Sequence, residues 1–171
     1  MVAKGESQDD RIDALRDAIR RAFPPETYAG VVTPYDHRLN DPDVEDEKYF
    51  HDSLKGRKWT DLPRQLLDQN PDGYVRLTNT AFAAFLAAWL IRSLEDIGGE
   101  NEVRDFVVFA FSPKHHMVPD TTELILERLR SLNQEQRRIL QTLLVDFAEL
   151  SPTELQRKLA VSGAELLDTL G

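Results

Sequence analysis

A chain of 171 residues with a hydrophobic fraction of 41% can build one packed domain, which excludes wholesale disorder. It contains no cysteine, which excludes disulfides, thiolate nucleophiles and Cys-ligated zinc. Acidic residues outnumber basic ones 30 to 21, and the net charge of −9 disfavours nucleic acid and anionic lipid while favouring solubility or a basic partner.

Residues 1–6 read as a flexible tail without the apolar run of a signal peptide, so a cytoplasmic location is expected. Ser7 and Asp10 have the spacing of a capping box. Ile12, Leu15, Ile19 and Phe23 follow at helical spacing, and Pro24-Pro25 stops the helix. Tyr28–Asn40 reads as loop, with Val31-Val32 as a short apolar touch. Asp41-Pro42 suits the start of a second helix whose first turn is rich in acids: Asp43, Glu45, Asp46 and Glu47. Its narrow apolar side is Val44, Tyr49 or Phe50, and Leu54, and Gly56 ends it. Thr60 is expected to cap a short helix carrying Leu62, Leu66 and Leu67, with Asn70-Pro71-Asp72-Gly73 as the turn after it.

Ala81 to Ile91 are eleven consecutive apolar residues. A helix that is apolar all round is a buried one, and this run is far short of the about 20 residues that cross a bilayer. It is expected to form a buried central helix over 79–96, closed by Gly98-Gly99. Asn101 can cap the next segment, where Phe106–Phe111 suits either a helix or a buried strand; the cap favours helix. Lys114–Pro119 reads as a loop. Thr121 or Thr122 is expected to start a helix with Leu124, Ile125, Leu129 and Leu132 facing inward. Asn133 and Gln136 cap another with Ile139, Leu140, Leu143, Leu144 and Phe147 on one stripe. Ser151–Glu154 and Ser162–Glu165 resemble two more capping boxes, each opening a short helix, with Leu155, Leu159 and Leu166, Leu167 inward. The fold class expected is all-α: a single domain over 7–171, about seven to nine helices around the central one.

The chain resembles a bacterial family defined as domain of unknown function 6714. The segments that carry the resemblance are Phe23-Pro24-Pro25, Gly56-Arg57-Lys58-Trp59, Leu77-Thr78-Asn79-Thr80-Ala81-Phe82, and Arg128, Leu132 and Gln136, so it spans roughly residues 10–150. The family helix carries Phe-x-Tyr-Tyr-Leu-Pro-Ala where this chain has Phe82-Ala83-Ala84-Phe85-Leu86-Ala87-Ala88. Two hydroxyls and a proline are therefore missing here. The resemblance implies a helical fold and no particular activity.

Several constellations bear on function. His37, His51, His115 and His116, with acids such as Asp36 and Asp43, offer metal-ligand chemistry, but no pair has the spacing of a metal motif. An enzyme would need a site assembled from distant groups such as His51, His115 and the acids of 41–47. There is no glycine-rich phosphate loop and no G-x-S-x-G. No catalytic residue, cofactor or metal is assigned. Residues 152–170 have the leucine spacing of a helix-turn-helix, yet Glu165 and Asp168 stand where a DNA reader needs basic or amide side chains, which disfavours nucleic acid. The favoured expectation is a macromolecule-binding module, of the kind an immunity or antitoxin-like inhibitor would be. It would meet a basic protein partner through Asp43, Glu45, Asp46 and Glu47, with Tyr49 and Phe50 as apolar anchors. No membrane is involved, and the oligomeric state stays open. The alternative is a helix-turn-helix DNA-binding regulator.

Overall fold

The computed structural model describes residues 7–35, 44–95, 99–112, 119–151 and 153–170. Among these it contains eight α-helices and no strand. They are α1 (Gln8–Ala22), α2 (Glu45–Leu54), α3 (Arg64–Gln69), α4 (Asn79–Ser93), α5 (Glu102–Ala110), α6 (Pro119–Ser131), α7 (Gln134–Leu150) and α8 (Glu154–Asp168). Two 3-10 turns, Trp59–Asp61 and Gly73–Arg76, join α2 to α3 and α3 to α4. The fold is all-α. No helix among the described residues is long and apolar enough to cross a membrane. The expected tail, the Asp41-Pro42 cap with Asp43, the loop holding His115 and His116, and His37 lie outside the described residues.

α4 is the core element, as its composition requires. Phe85, Leu86, Ala87, Trp89 and Leu90 have no exposed surface, and residues on every side of the helix are covered. The Trp89 indole N–H donates to the Asn70 carbonyl at 2.8 Å, so burying its one polar group leaves nothing unpaired. α4 ends at Ser93, before the Gly98-Gly99 expected to close it. Asn101 explains the early stop. Its amide donates to the carbonyls of Arg92 (3.1 Å) and Glu95 (2.6 Å), while its Oδ1 accepts from the Arg104 amide N–H at 3.1 Å. One buried side chain thus finishes α4 and starts α5. Arg92, at the end of the core helix, is tied to Asp68 of α3 at 2.7 Å.

The periphery is pinned by local signals. Two of the four expected capping boxes form, Ser7 with Asp10 and Asn133 with Gln136, whereas α8 is capped by Thr153 and Ser162 lies within it. Gly56 closes α2 with φ +71°, the left-handed region that glycine enters without strain. Arg11 of α1 donates to Asp146 and, at 2.8 Å, to Glu149 of α7, which clasps the first helix to the seventh.

Four expectations need correction. Thr60 caps no helix: it lies in the 3-10 turn, and α3 begins after Pro63, whose extended backbone (φ −68°, ψ 141°) sets its start. α6 begins at Pro119, ahead of Thr121 and Thr122. Leu124 and Leu155 face outward, at 42% and 58% exposed, instead of into the core. The pair of helices expected over 152–170 is a single helix, α8, capped by Thr153. Ser162, expected to cap the second of the pair, is buried mid-helix together with Gly163. A Cβ on Gly163 would lie 3.0 Å from Leu144 Cδ1 and 3.1 Å from the Phe111 carbonyl oxygen. The glycine lets α8 approach α7 and the end of α5 closely, and the helix-turn-helix loses its turn.

Candidate functional site

The acidic stretch is only partly a surface patch. Glu45 and Asp46 are exposed on the first turn of α2, where acids suit the helix dipole, and Tyr49 projects into solvent at 64% exposed. Glu47 is half-buried and accepts from Arg76 at 3.0 Å, tying α2 to the second 3-10 turn. Phe50 corrects the expected pair of anchors. It is 1% exposed, lies 6.5 Å from the Trp89 ring, and has the Arg76 guanidinium stacked 4.1 Å above it. It sits on the inward stripe of α2 with His51 and Leu54, and Tyr49, one position earlier, is turned away from that stripe. Phe50 therefore belongs to the core and cannot meet a partner. His51 is buried beside it, and no group of three His, Asp or Glu side chains gathers into a metal site among the described residues.

The best-formed concavity lies elsewhere, between α5 and α6 over the second 3-10 turn. It has a volume of about 290 Å³, close to the lower end of small-ligand pockets at about 300–1,000 Å³. Its floor is aromatic: Tyr74, Phe82 and Phe111, all buried. Tyr74 stacks on Phe111 with ring centroids 6.1 Å apart and 15° between planes, and Phe82 meets Phe111 edge-on at 6.3 Å. Phe106 and Phe109 of α5 and Leu124 of α6, each about two-fifths exposed, form its mouth.

The helical period explains the arrangement. Once Glu102–Ala110 is a helix, Val103, Val107, Val108 and Ala110 turn to the core. Phe106 and Phe109, three apart, share the outer face with Glu102. Two aromatic rings on a polar stripe were the available sequence signal. It was missed because the run Phe106–Phe111 reads as uniformly buried when taken by composition.

Two polar groups meet at the closed end. Arg128 of α6 is 6% exposed, and its Nη2 donates to the carbonyls of Val75 and, at 3.2 Å, Leu77. Its Nε has no hydrogen-bond partner, and no carboxylate among the described residues pairs with it. Burial without a counter-ion pulls the guanidinium below its ordinary pKa, although an arginine keeps its proton at neutral pH. The Tyr74 hydroxyl is likewise buried without a partner. Desolvation pushes its pKa well up, Asp72 adds to the shift, and Arg128 opposes it.

A groove of about 410 Å³ between the start of α7 and the end of α8 is larger. Its lining, which includes Glu135, Arg137, Arg138 and Asp168, carries charges of both signs next to solvent, so it excludes water poorly and offers no apolar grip. The α5–α6 pocket is therefore the candidate site. No family model, curated protein or solved structure matches this chain.

Proposed function

We propose that the chain acts by binding, and that its site is the aromatic pocket between α5 and α6, which takes up a small apolar ligand. The observation that carries this reading is the exposure of Phe106, Phe109 and Leu124 around a floor that is itself fully packed. Scattered exposed hydrophobic residues are ordinary, but three converging on one cavity are not. Phenylnaphthylamine, a neutral fluorophore that brightens in apolar surroundings, tests it. The protein should bind and enhance the dye, and Phe106→Glu or Leu124→Glu at the mouth should weaken binding about tenfold, the effect of about 1.4 kcal/mol. Wild-type affinity in both variants refutes the site.

A second reading keeps the expected basic protein partner, as an immunity-type inhibitor would have. It is favoured by Glu45, Asp46 and the exposed Tyr49 ring standing together on the outer side of α2. Glu45→Gln with Asp46→Asn should slow association with a purified basic partner and flatten its salt dependence. Unchanged association rates end this reading.

A further inference from the structure

An apolar pocket that ends on a buried cation has a definite preference among ligands. Arg128 carries a full positive charge in a place nearly closed to water, its only hydrogen-bond acceptors among the described residues being neutral backbone carbonyls. A charge buried in this way is costly unless an opposite charge compensates it. Beside it the Tyr74 hydroxyl, 1% exposed, has a proton to donate and nothing to receive it. Both residues line the cavity that opens between Phe106 and Leu124. The missing component is an acceptor with negative charge, attached to an apolar body.

We propose that the ligand of this pocket is an amphipathic monocarboxylate, a small acid with an aliphatic or aryl tail. Its tail lies against the phenylalanines of the mouth. Its carboxylate lies at the closed end, accepting from Tyr74 and neutralising Arg128. Charge-assisted hydrogen bonds to a carboxylate are about twice as strong as neutral ones, so the head group sets orientation while the tail supplies affinity. A volume of about 290 Å³ admits a single chain or one ring system, since a water-sized group fills roughly 30 Å³, so the naphthalene of phenylnaphthylamine would enter while its phenyl ring stays at the open mouth. Asp72 also lines the cavity and is the lining carboxylate that favours a cationic head instead. It is only half-buried, whereas Arg128 is buried, so screening weakens the acid more than the base.

This inference rests on the pocket being the binding site, and the test separates the two. Phenylnaphthylamine bound to the protein is displaced by octanoate, octanol or octylamine, three probes with the same tail and different heads. Octanoate should act at a concentration about tenfold below octanol, a conservative expectation for one charge-assisted contact. Tyr74→Phe removes one oxygen and no packing; it should abolish most of that preference while leaving octanol unchanged. Arg128→Lys keeps the charge and should retain more of the preference than Arg128→Gln. Because Arg128 also holds two backbone carbonyls, Tyr74→Phe is the decisive variant if the arginine variants unfold. Octanol or octylamine binding as tightly as octanoate overturns the carboxylate assignment and leaves the pocket standing. An unchanged octanoate preference in Tyr74→Phe overturns the assignment of the head to the closed end. Failure of the dye itself to bind removes the site and the inference with it.

Discussion

Replacing Gly163 by alanine sets two effects of known sign against each other. In an unencumbered helix interior, alanine is more favourable than glycine by about 1 kcal/mol. At Gly163 the added methyl meets Leu144 Cδ1 at 3.0 Å and the Phe111 carbonyl oxygen at 3.1 Å, both tighter than ordinary contacts. The leucine can turn aside, but the carbonyl is backbone at the end of α5 and moves only if that helix moves. Overpacking of this kind costs about 1–3 kcal/mol. The net expectation is a loss of about 1 kcal/mol, visible in urea denaturation as a lower midpoint at constant slope, or as roughly 2–4 °C in Tm. Leu144→Val removes the Cδ carbons, so the alanine should cost less in that background, and the double-mutant cycle should show coupling. Val161→Ala, exposed on the same helix, should be neutral or slightly stabilising. A gain of about 1 kcal/mol for Gly163→Ala, or no coupling with Leu144, would refute the close seating of α8 as one continuous helix.

Three further outcomes follow from the core and its caps. Phe85→Ala should cost about 3–5 kcal/mol in chemical denaturation, since the ring is fully buried and meets Tyr28 edge-on at 5.5 Å. Asn101→Asp keeps the acceptor that caps α5 but loses the two amide donors and sets a carboxylate against the Arg92 and Glu95 carbonyls. It should destabilise by about 1–3 kcal/mol, whereas an asparagine acting only as an N-cap would tolerate the change. Stability should also fall at alkaline pH. The Tyr74 phenol holds its proton more tightly folded than unfolded, so its contribution is intact below the unfolded pKa of about 10 and is lost as pH rises toward the raised folded value. The slope is at most about 1.4 kcal/mol per pH unit, and Tyr74→Phe should remove one proton's worth of it.

What was legible in the sequence was local or was dictated by composition. Ser7 with Asp10 and Asn133 with Gln136 close capping boxes within a single turn, a geometry made by the two partners alone, although the same spacing at Ser162 and Glu165 falls inside α8. α4 was legible because an apolar run can only be buried. The pocket was not legible because it depends on how α5 and α6 face each other, and nothing within either helix specifies that. Leu124 fits an inward stripe with Leu132 by spacing alone, yet the end of α6 that carries it stands at the cavity mouth. Ser162 with Glu165 has the spacing of a helix start, but Gly163 beside it serves to admit Leu144 and the Phe111 carbonyl, neighbours that no local pattern reveals. Phe50 and Tyr49 are adjacent in sequence and opposite in environment; a short helix with one apolar position per turn leaves that choice to its packing partner, Trp89.

Stability and binding should be linked through one hydroxyl. In the free protein the Tyr74 hydroxyl is a buried donor without a partner, a situation that costs about 1–3 kcal/mol, so Tyr74→Phe should make the free protein more stable. A ligand that binds only the folded state stabilises by about 2.7 kcal/mol at one hundred times its Kd, roughly 5–10 °C in Tm for a chain of this size. If the carboxylate accepts from Tyr74, the same substitution that raises the baseline must reduce the octanoate-induced shift at fixed concentration. The octanol-induced shift should stay as it was. A hydroxyl that is merely a packing defect raises the baseline and leaves both shifts unchanged. Thermal melts of two proteins with and without two ligands therefore distinguish a binding group from a defect, and equal octanoate shifts in the two proteins would assign Tyr74 to the defect.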